Sequence, residues 1–141
     1  MRLQLALNVS DLEAAVDFYS RMFATEPARR RPGYANFAID EPPLKLVLFE
    51  AADDASDPAG CCGAGGTINH LGVETENADQ VVDAERRLTG AGLEPTIVGD
   101  TMCCYATKTE TWVTDPDGAR WEWYVRTGDS EVLENVVVAS R

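Results

Sequence analysis

The spacing of apolar residues along this chain runs through one pattern and then repeats it. Leu3–Val9 is a short apolar run of strand length. In the next stretch, SDLEAAVDFYSRMF, Leu12, Ala15, Val16, Tyr19, Met22 and Phe23 fall at helical spacing. Ser10 and Glu13 form a capping-box pattern at its start. After the breaker-rich ATEPARRRPGY come two strand-like runs, Tyr34–Ile39 and Leu44–Phe49, separated by DEPP. Residues 51–66, AADDASDPAGCCGAGG, are small, acidic and glycine-rich, which predicts a flexible linker.

The pattern then restarts. Ile68–Thr75 reads as a strand, and ENADQVVDAERRLTGAG as a helix. Asn77 and Gln80 form a second capping-box pattern, and Gly90 and Gly92 stop the helix. Strand-like runs follow at Glu94–Val98, Thr111–Thr114 and Trp121–Val125, with TDPDGAR as the turn before the last. The tail carries an apolar patch, Val136–Val138, compatible with an edge strand, a helix end or disorder.

Laid over each other at an offset of 66 residues, Gln4 falls on His70, Leu7 on Val73 and Val16 on Val82. An internal βαβββ repeat predicts an α+β fold, with two paired modules forming a curved mixed sheet around one cavity. The expected organisation is a single domain over residues 1–126, with module one at 1–50, the linker at 51–66, module two at 67–126 and a tail at 127–141.

Charge and composition narrow the function. A formal net charge of −12 argues against nucleic acid or an anionic membrane as partner. The longest apolar runs are too short to span a bilayer, so a cytoplasmic protein is expected, with monomer and homodimer both left open. The four cysteines come as two adjacent pairs, Cys61–Cys62 and Cys103–Cys104, without the C-x-x-C spacing of a structural zinc site. His70 is the one histidine, which excludes any mechanism needing two per chain.

Because strand residues alternate faces, Gln4 and His70 at equivalent positions of paired modules can point into the same cavity. Glu122 sits between two tryptophans in RWEWYV, where an unpaired acid is costly. A metal would relieve that cost, and so would Arg120, Arg126 or Lys108. One amide oxygen, one imidazole nitrogen and one carboxylate suit a divalent first-row metal such as Fe(II), Mn(II) or Ni(II). The counterpart strand LKLVLFE has Lys45 near the matching position and no acid inside it. Three protein ligands are therefore expected, which leaves open positions of the catalytic kind.

LNVSDLEAAVDFYSRMF, NHLGVE and VTDPDGARWEWYV resemble the vicinal oxygen chelate superfamily, the glyoxalase, bleomycin-resistance and extradiol dioxygenase group, over about residues 3–126. RPGYANFAIDEPPLKLVLFE and DTMCCYATKTETWVTDPDG further resemble its C–As lyase branch, similar to the cadmium-inducible proteins of actinobacteria. That resemblance implies a non-haem Fe(II)-dependent dioxygenase. Such an enzyme uses O₂ to cleave the carbon–arsenic bond of trivalent organoarsenicals, methylarsenite and reduced aromatic arsenicals, to arsenite. It puts Gln4, His70 and Glu122 at the metal and in catalysis, with Mn or Ni as possible substitutes. It makes Cys103 and Cys104 the arsenical-binding pair. The surrounding GDTMCCYATKTE has few apolar anchors, which predicts a mobile loop. Tyr105 and Lys108 on that loop are read as positioning substrate or hydrogen-bonding oxygen, or as ordinary loop residues.

Trivalent arsenic is soft and favours thiolates, and a monosubstituted As(III) has two valences free for two neighbouring thiols. The alternative is a cadmium- or arsenical-binding resistance protein without turnover. Cys61 and Cys62 fall outside the family pattern and are read as an accessory soft-metal or arsenical site, or as incidental thiols.

Overall fold

The structure is a computed structural model that describes residues 1–51, 67–133 and 136–140. The linker segment after Ala51, with Cys61 and Cys62, lies outside the described residues. The strands are β1 (Arg2–Val9), β2 (Arg29–Arg31), β3 (Tyr34–Ile39), β4 (Leu44–Glu50), β5 (Ile68–Glu74), β6 (Gly99–Cys103), β7 (Ala106–Thr114), β8 (Arg120–Asp129) and β9 (Val136–Ser140). The helices are α1 (Leu12–Phe23) and α2 (Ala78–Gly90).

Each module is a βαβββ unit, and the two join edge to edge. The sheet order is β2-β3-β4-β1-β5-β8-β7-β6-β9. β1 pairs parallel with β4, β5 pairs parallel with β8, and β1 and β5 meet antiparallel at the centre. The sheet curls without closing, as the repeat predicts. β8 runs past residue 126, and β9 pairs antiparallel with β6, so the apolar tail patch is an edge strand.

Alternation along the strands divides the residues between two faces. Leu7, Ala35, Leu46 and Leu48 pack with Leu12 and Val16 of α1 on the outer face. Ala6, Val47, Phe49 and Trp112 pack with Cys103, Cys104 and Tyr105 on the concave face. Burying apolar side chains on both faces fixes the register, since a one-residue slip would exchange the two sets.

The caps differ in detail from the sequence expectation. Asp11, not Ser10, caps α1 by accepting from Ala14 N at 3.0 Å, and Glu50 Oε2 takes the Leu12 N–H at 2.8 Å. Asn77 caps α2 as predicted, but Gln80 Oε1 reaches back to Glu76 N instead of closing a box on Asn77. The run Glu94–Val98 is not a strand. Pro95 has no N–H to donate to a ladder. Thr96 instead clips onto β7 through Trp112, at 2.8 Å to its carbonyl and 2.9 Å from its N–H. The strand begins later, at Gly99.

Candidate functional site

Gln4 from β1, His70 from β5 and Glu122 from β8 converge on the concave face. Gln4 Nε2 lies 2.9 Å from His70 Nε2 and 3.1 Å from Glu122 Oε2, and His70 Nε2 lies 3.3 Å from that same oxygen. All three side chains are buried. Residues 66 and 118 positions apart thus meet in a triangle about 3 Å on a side. The Asn69 side chain fixes the imidazole: His70 Nδ1 donates to Asn69 Oδ1 at 2.8 Å, which leaves the Nε2 lone pair facing inward. Asn69 Nδ2 is in turn held by Asn8 Oδ1 at 2.9 Å.

Glu122 is fully buried and paired with Lys108 of β7, whose Nζ lies 2.7 Å from Glu122 Oε1. The pair leaves Oε2 turned toward Gln4 and His70. Burial pushes the Glu122 carboxyl up, but the Lys108 ammonium beside it outweighs that and holds it below the usual carboxylate range. For Lys108, burial disfavours the charged form, yet Glu122, Cys104 and Glu110 overcome it and raise the ammonium well above its ordinary value. Burial and the neighbouring Glu122 charge push Glu110 up to about 7. Glu110 Oε2 stands 3.7 Å from Lys108 Nζ and makes no hydrogen bond among the described residues. Lys108 is a buried strand residue here, where the sequence placed it on the cysteine loop.

The donor set fits a divalent cation on three observations. For an octahedral ion with bonds of about 2.1 Å, neighbouring donors stand about 3.0 Å apart, which matches the edges of this triangle. Two buried carboxyl groups, Glu122 and Glu110, stand beside one ammonium, so a further positive charge is accommodated. Gly72 makes room for the Gln4 side chain: a Cβ there would sit 3.4 Å from both Gln4 Cβ and Nε2. The Gln4 carboxamide now directs Nε2 inward, while Oε1 accepts from the Tyr124 hydroxyl. Half a turn about its last bond exchanges the two atoms and leaves Tyr124 Oη as acceptor.

The first module offers no fourth donor at the position equivalent to Glu122. Glu122 pairs with Gly72, and Gly72 corresponds to Ala6 at the 66-residue offset; Ala6 pairs with Val47. The matching position is therefore Val47, which corrects the assignment to Lys45. Lys45 instead donates to Tyr124 Oη at 3.0 Å.

Cys103 and Cys104 sit at the tip of the β6–β7 hairpin with their Sγ atoms 2.9 Å apart. The turn is the two-residue kind, Cys104–Tyr105, with φ of +57° and +60°. Neither residue is a glycine, so the left-handed conformation costs backbone energy. The expected mobile loop is therefore a tight turn with its side chains packed in the core. Backbone bonds from Cys104 N to Leu133 O and Tyr105 N to Val132 O pin it, and Arg29 donates to Tyr105 O at 2.8 Å. A cavity of about 300 Å³ joins the two halves of the site, with Gln4, His70, Lys108 and Cys104 all on its wall.

Sequence reasoning missed Asn69, Tyr124 and Glu110. Asn69 carried a signal, since it precedes the lone histidine in a strand and cannot follow its side chain inward. Glu110 and Tyr124 required knowledge of the β7–β8 register, which pairs them directly.

The curled nine-stranded sheet with its paired βαβββ modules defines the class of fold. Residues 3–123 match the family model of the Glyoxalase/Bleomycin resistance protein/Dioxygenase superfamily, and the chain belongs to that superfamily. It is 55% identical over 132 residues to the cadmium-induced protein CadI of Mycobacterium tuberculosis, spanning 94% of this chain and 80% of that protein. It is 53% identical over 133 residues to a trivalent organoarsenical cleaving enzyme of Thermomonospora curvata, spanning 94% and 82%. The fold is shared with the Mn(II)-bound glyoxalase of Novosphingobium aromaticivorans, at a TM-score of 0.60 and 16% identity, covering 93% of this chain and 40% of that one.

Proposed function

We propose that this protein is an Fe(II)-dependent dioxygenase of the cytoplasm that cleaves the carbon–arsenic bond of trivalent organoarsenicals and releases arsenite. The carrying observation is the shared cavity, whose wall carries Gln4 and His70 of the amide–imidazole–carboxylate triangle at one place and Cys104 of the vicinal dithiol at another. Relatives named for organoarsenical cleavage, one at 53% identity, support an enzyme of this kind.

Gln4, His70 and Glu122 would hold the iron, which when bound supplies open positions for O₂ and the redox chemistry of bond cleavage. Cys103 and Cys104 chelate R–As(III) through two sulfurs and point its organic group into the cavity. Lys108 ties up Glu122 Oε1, which limits the carboxylate to one inward oxygen. Tyr105 packs the turn against Tyr34, with ring centroids 5.4 Å apart, and so fixes the direction of the thiols. Val47 and Phe49 give the cavity an apolar wall, which disfavours water in the space between them.

The experiment is anaerobic loading with Fe(II), addition of methylarsenite, then O₂, with arsenite as the readout. Arsenite is expected from the wild type and none from Cys103→Ser/Cys104→Ser. The relative named as cadmium-induced supports a second reading, sequestration of a soft metal or arsenical without turnover. Stoichiometric binding with no O₂-dependent product would select that reading.

A further inference from the structure

Tyr34 lines the cavity beside Cys104 and is 3% exposed. Its hydroxyl accepts from Asn36 Nδ2 at 2.9 Å, yet its own proton has no acceptor among the described residues. A buried donor without an acceptor is costly and is met where a ligand supplies the acceptor. Tyr34 Oη thus offers a hydrogen bond into the space that the organic group of a Cys104-bound arsenical would enter.

A surplus of positive charge lies next to it. Arg29 pairs with Asn36 across β2–β3, and Arg126 lines the same cavity. Both guanidinium groups converge on a single carboxylate oxygen, Asp129 Oδ1. Two cations meeting one anion leave a net positive charge at the cavity wall. This stands out in a chain with a net charge of −12. The ring walls are aromatic: Tyr34 lies edge-on to Phe49 at 5.6 Å and to Tyr105 at 5.4 Å. Aromatic walls, a spare phenol donor and surplus guanidinium charge together match a planar ring bearing an anionic acceptor.

We infer that Tyr34 and Arg126 form a specificity subsite for the organic half of the substrate, selecting aryl arsenicals whose ring carries a carboxylate or comparable anionic acceptor. The inference rests on the arsenical-binding role of Cys103 and Cys104 proposed above. Tyr34 donates to the acceptor, and Arg126 supplies the charge. Methylarsenite, with no acceptor, gains nothing from either.

The test is equilibrium binding, followed by tryptophan fluorescence, to metal-free full-length protein carrying Cys61→Ser/Cys62→Ser, so that Cys103 and Cys104 are the thiols reported. The probes are phenylarsine oxide and its 4-carboxy derivative. The carboxylated probe should bind about tenfold more tightly. Tyr34→Phe and Arg126→Gln should each remove most of that preference while leaving phenylarsine oxide affinity within about twofold. Equal affinity of the wild type for the two probes would overturn the inference, as would equal weakening of both probes in both variants. If neither probe binds, or if Cys103→Ser/Cys104→Ser binds them unchanged, the dithiol role falls first and the subsite with it.

Discussion

Gly72 and Gln4 face each other across the β1–β5 pair, and the absence of a side chain at 72 lets the Gln4 carboxamide cross toward His70 and Glu122. A Cβ at 72 would also press to 3.3 Å on the Glu122 carbonyl, which is backbone and cannot swing away. Gly72→Ala should therefore shift two of the three donors by a few tenths of an ångström and keep the fold. We expect divalent-metal affinity to fall by about tenfold or more, read by competition with a chelating dye, with an unchanged circular dichroism spectrum. Undiminished affinity would mean that Gln4 is not a donor.

Asn69 offers a separate handle on the same centre. Its Oδ1 takes the His70 Nδ1 proton at 2.8 Å and so keeps Nε2 free to coordinate. Asn69→Ala leaves both ring nitrogens in contention for the proton. Metal affinity should drop by about ten- to a hundredfold, and a nitrogen-15 spectrum of the imidazole should show mixed tautomers. A single Nδ1–H tautomer in the variant would remove Asn69 from the account.

Acid stability should report a carboxylate away from the triangle. Glu74 is bonded to Arg2, and its other oxygen lies 3.5 Å from Lys45 Nζ. Burial raises its pKa, but Lys45 and Arg2 outweigh that and hold it below the ordinary value. A carboxyl depressed in the folded state binds its proton more readily when unfolded. Its stabilisation is thus complete above the unfolded pKa, about 4.3, and is lost as pH falls through the lower folded value. Glu74→Gln should be less stable than wild type at pH 7 in urea denaturation, and the gap should close below about pH 4. A gap that persists at lower pH would show that packing, and not charge, is responsible.

The repeated pattern of strand and helix was legible because period-2 and period-3.6 alternation are local properties of the chain. The 66-residue offset then placed Gln4 over His70, and the two side chains do meet. What could not be read was register. The equivalent of Glu122 is Val47, two residues from Lys45, and only the pairing of β1 with β4 decides between them. The β7–β8 ladder shifts between Thr107 and Lys108, so no alternation rule places the Lys108 ammonium on Glu122. The hairpin at Cys104–Tyr105 carries neither the glycine nor the asparagine that normally marks such a turn. Without that marker, its neighbourhood reads as open loop.

Lys108 is the residue at which the proposed metal site can be tested through stability. Among the described residues its ammonium is the cation within 4 Å of both Glu122 and Glu110, and all three groups are buried. Lys108→Met keeps the length and apolar stem of the side chain but leaves the buried Glu122 carboxylate without its cation. Breaking a buried pair in this way should cost the metal-free protein about 3–5 kcal/mol in urea denaturation. A divalent ion held by Glu122 restores positive charge at that place. Saturating Fe(II) or Mn(II) should therefore stabilise Lys108→Met more than it stabilises the wild type, under anaerobic conditions with the ion in excess. Equal stabilisation of the two proteins would show that the ion binds away from Glu122, and the triangle of Gln4, His70 and Glu122 would then be a hydrogen-bonded structural cluster.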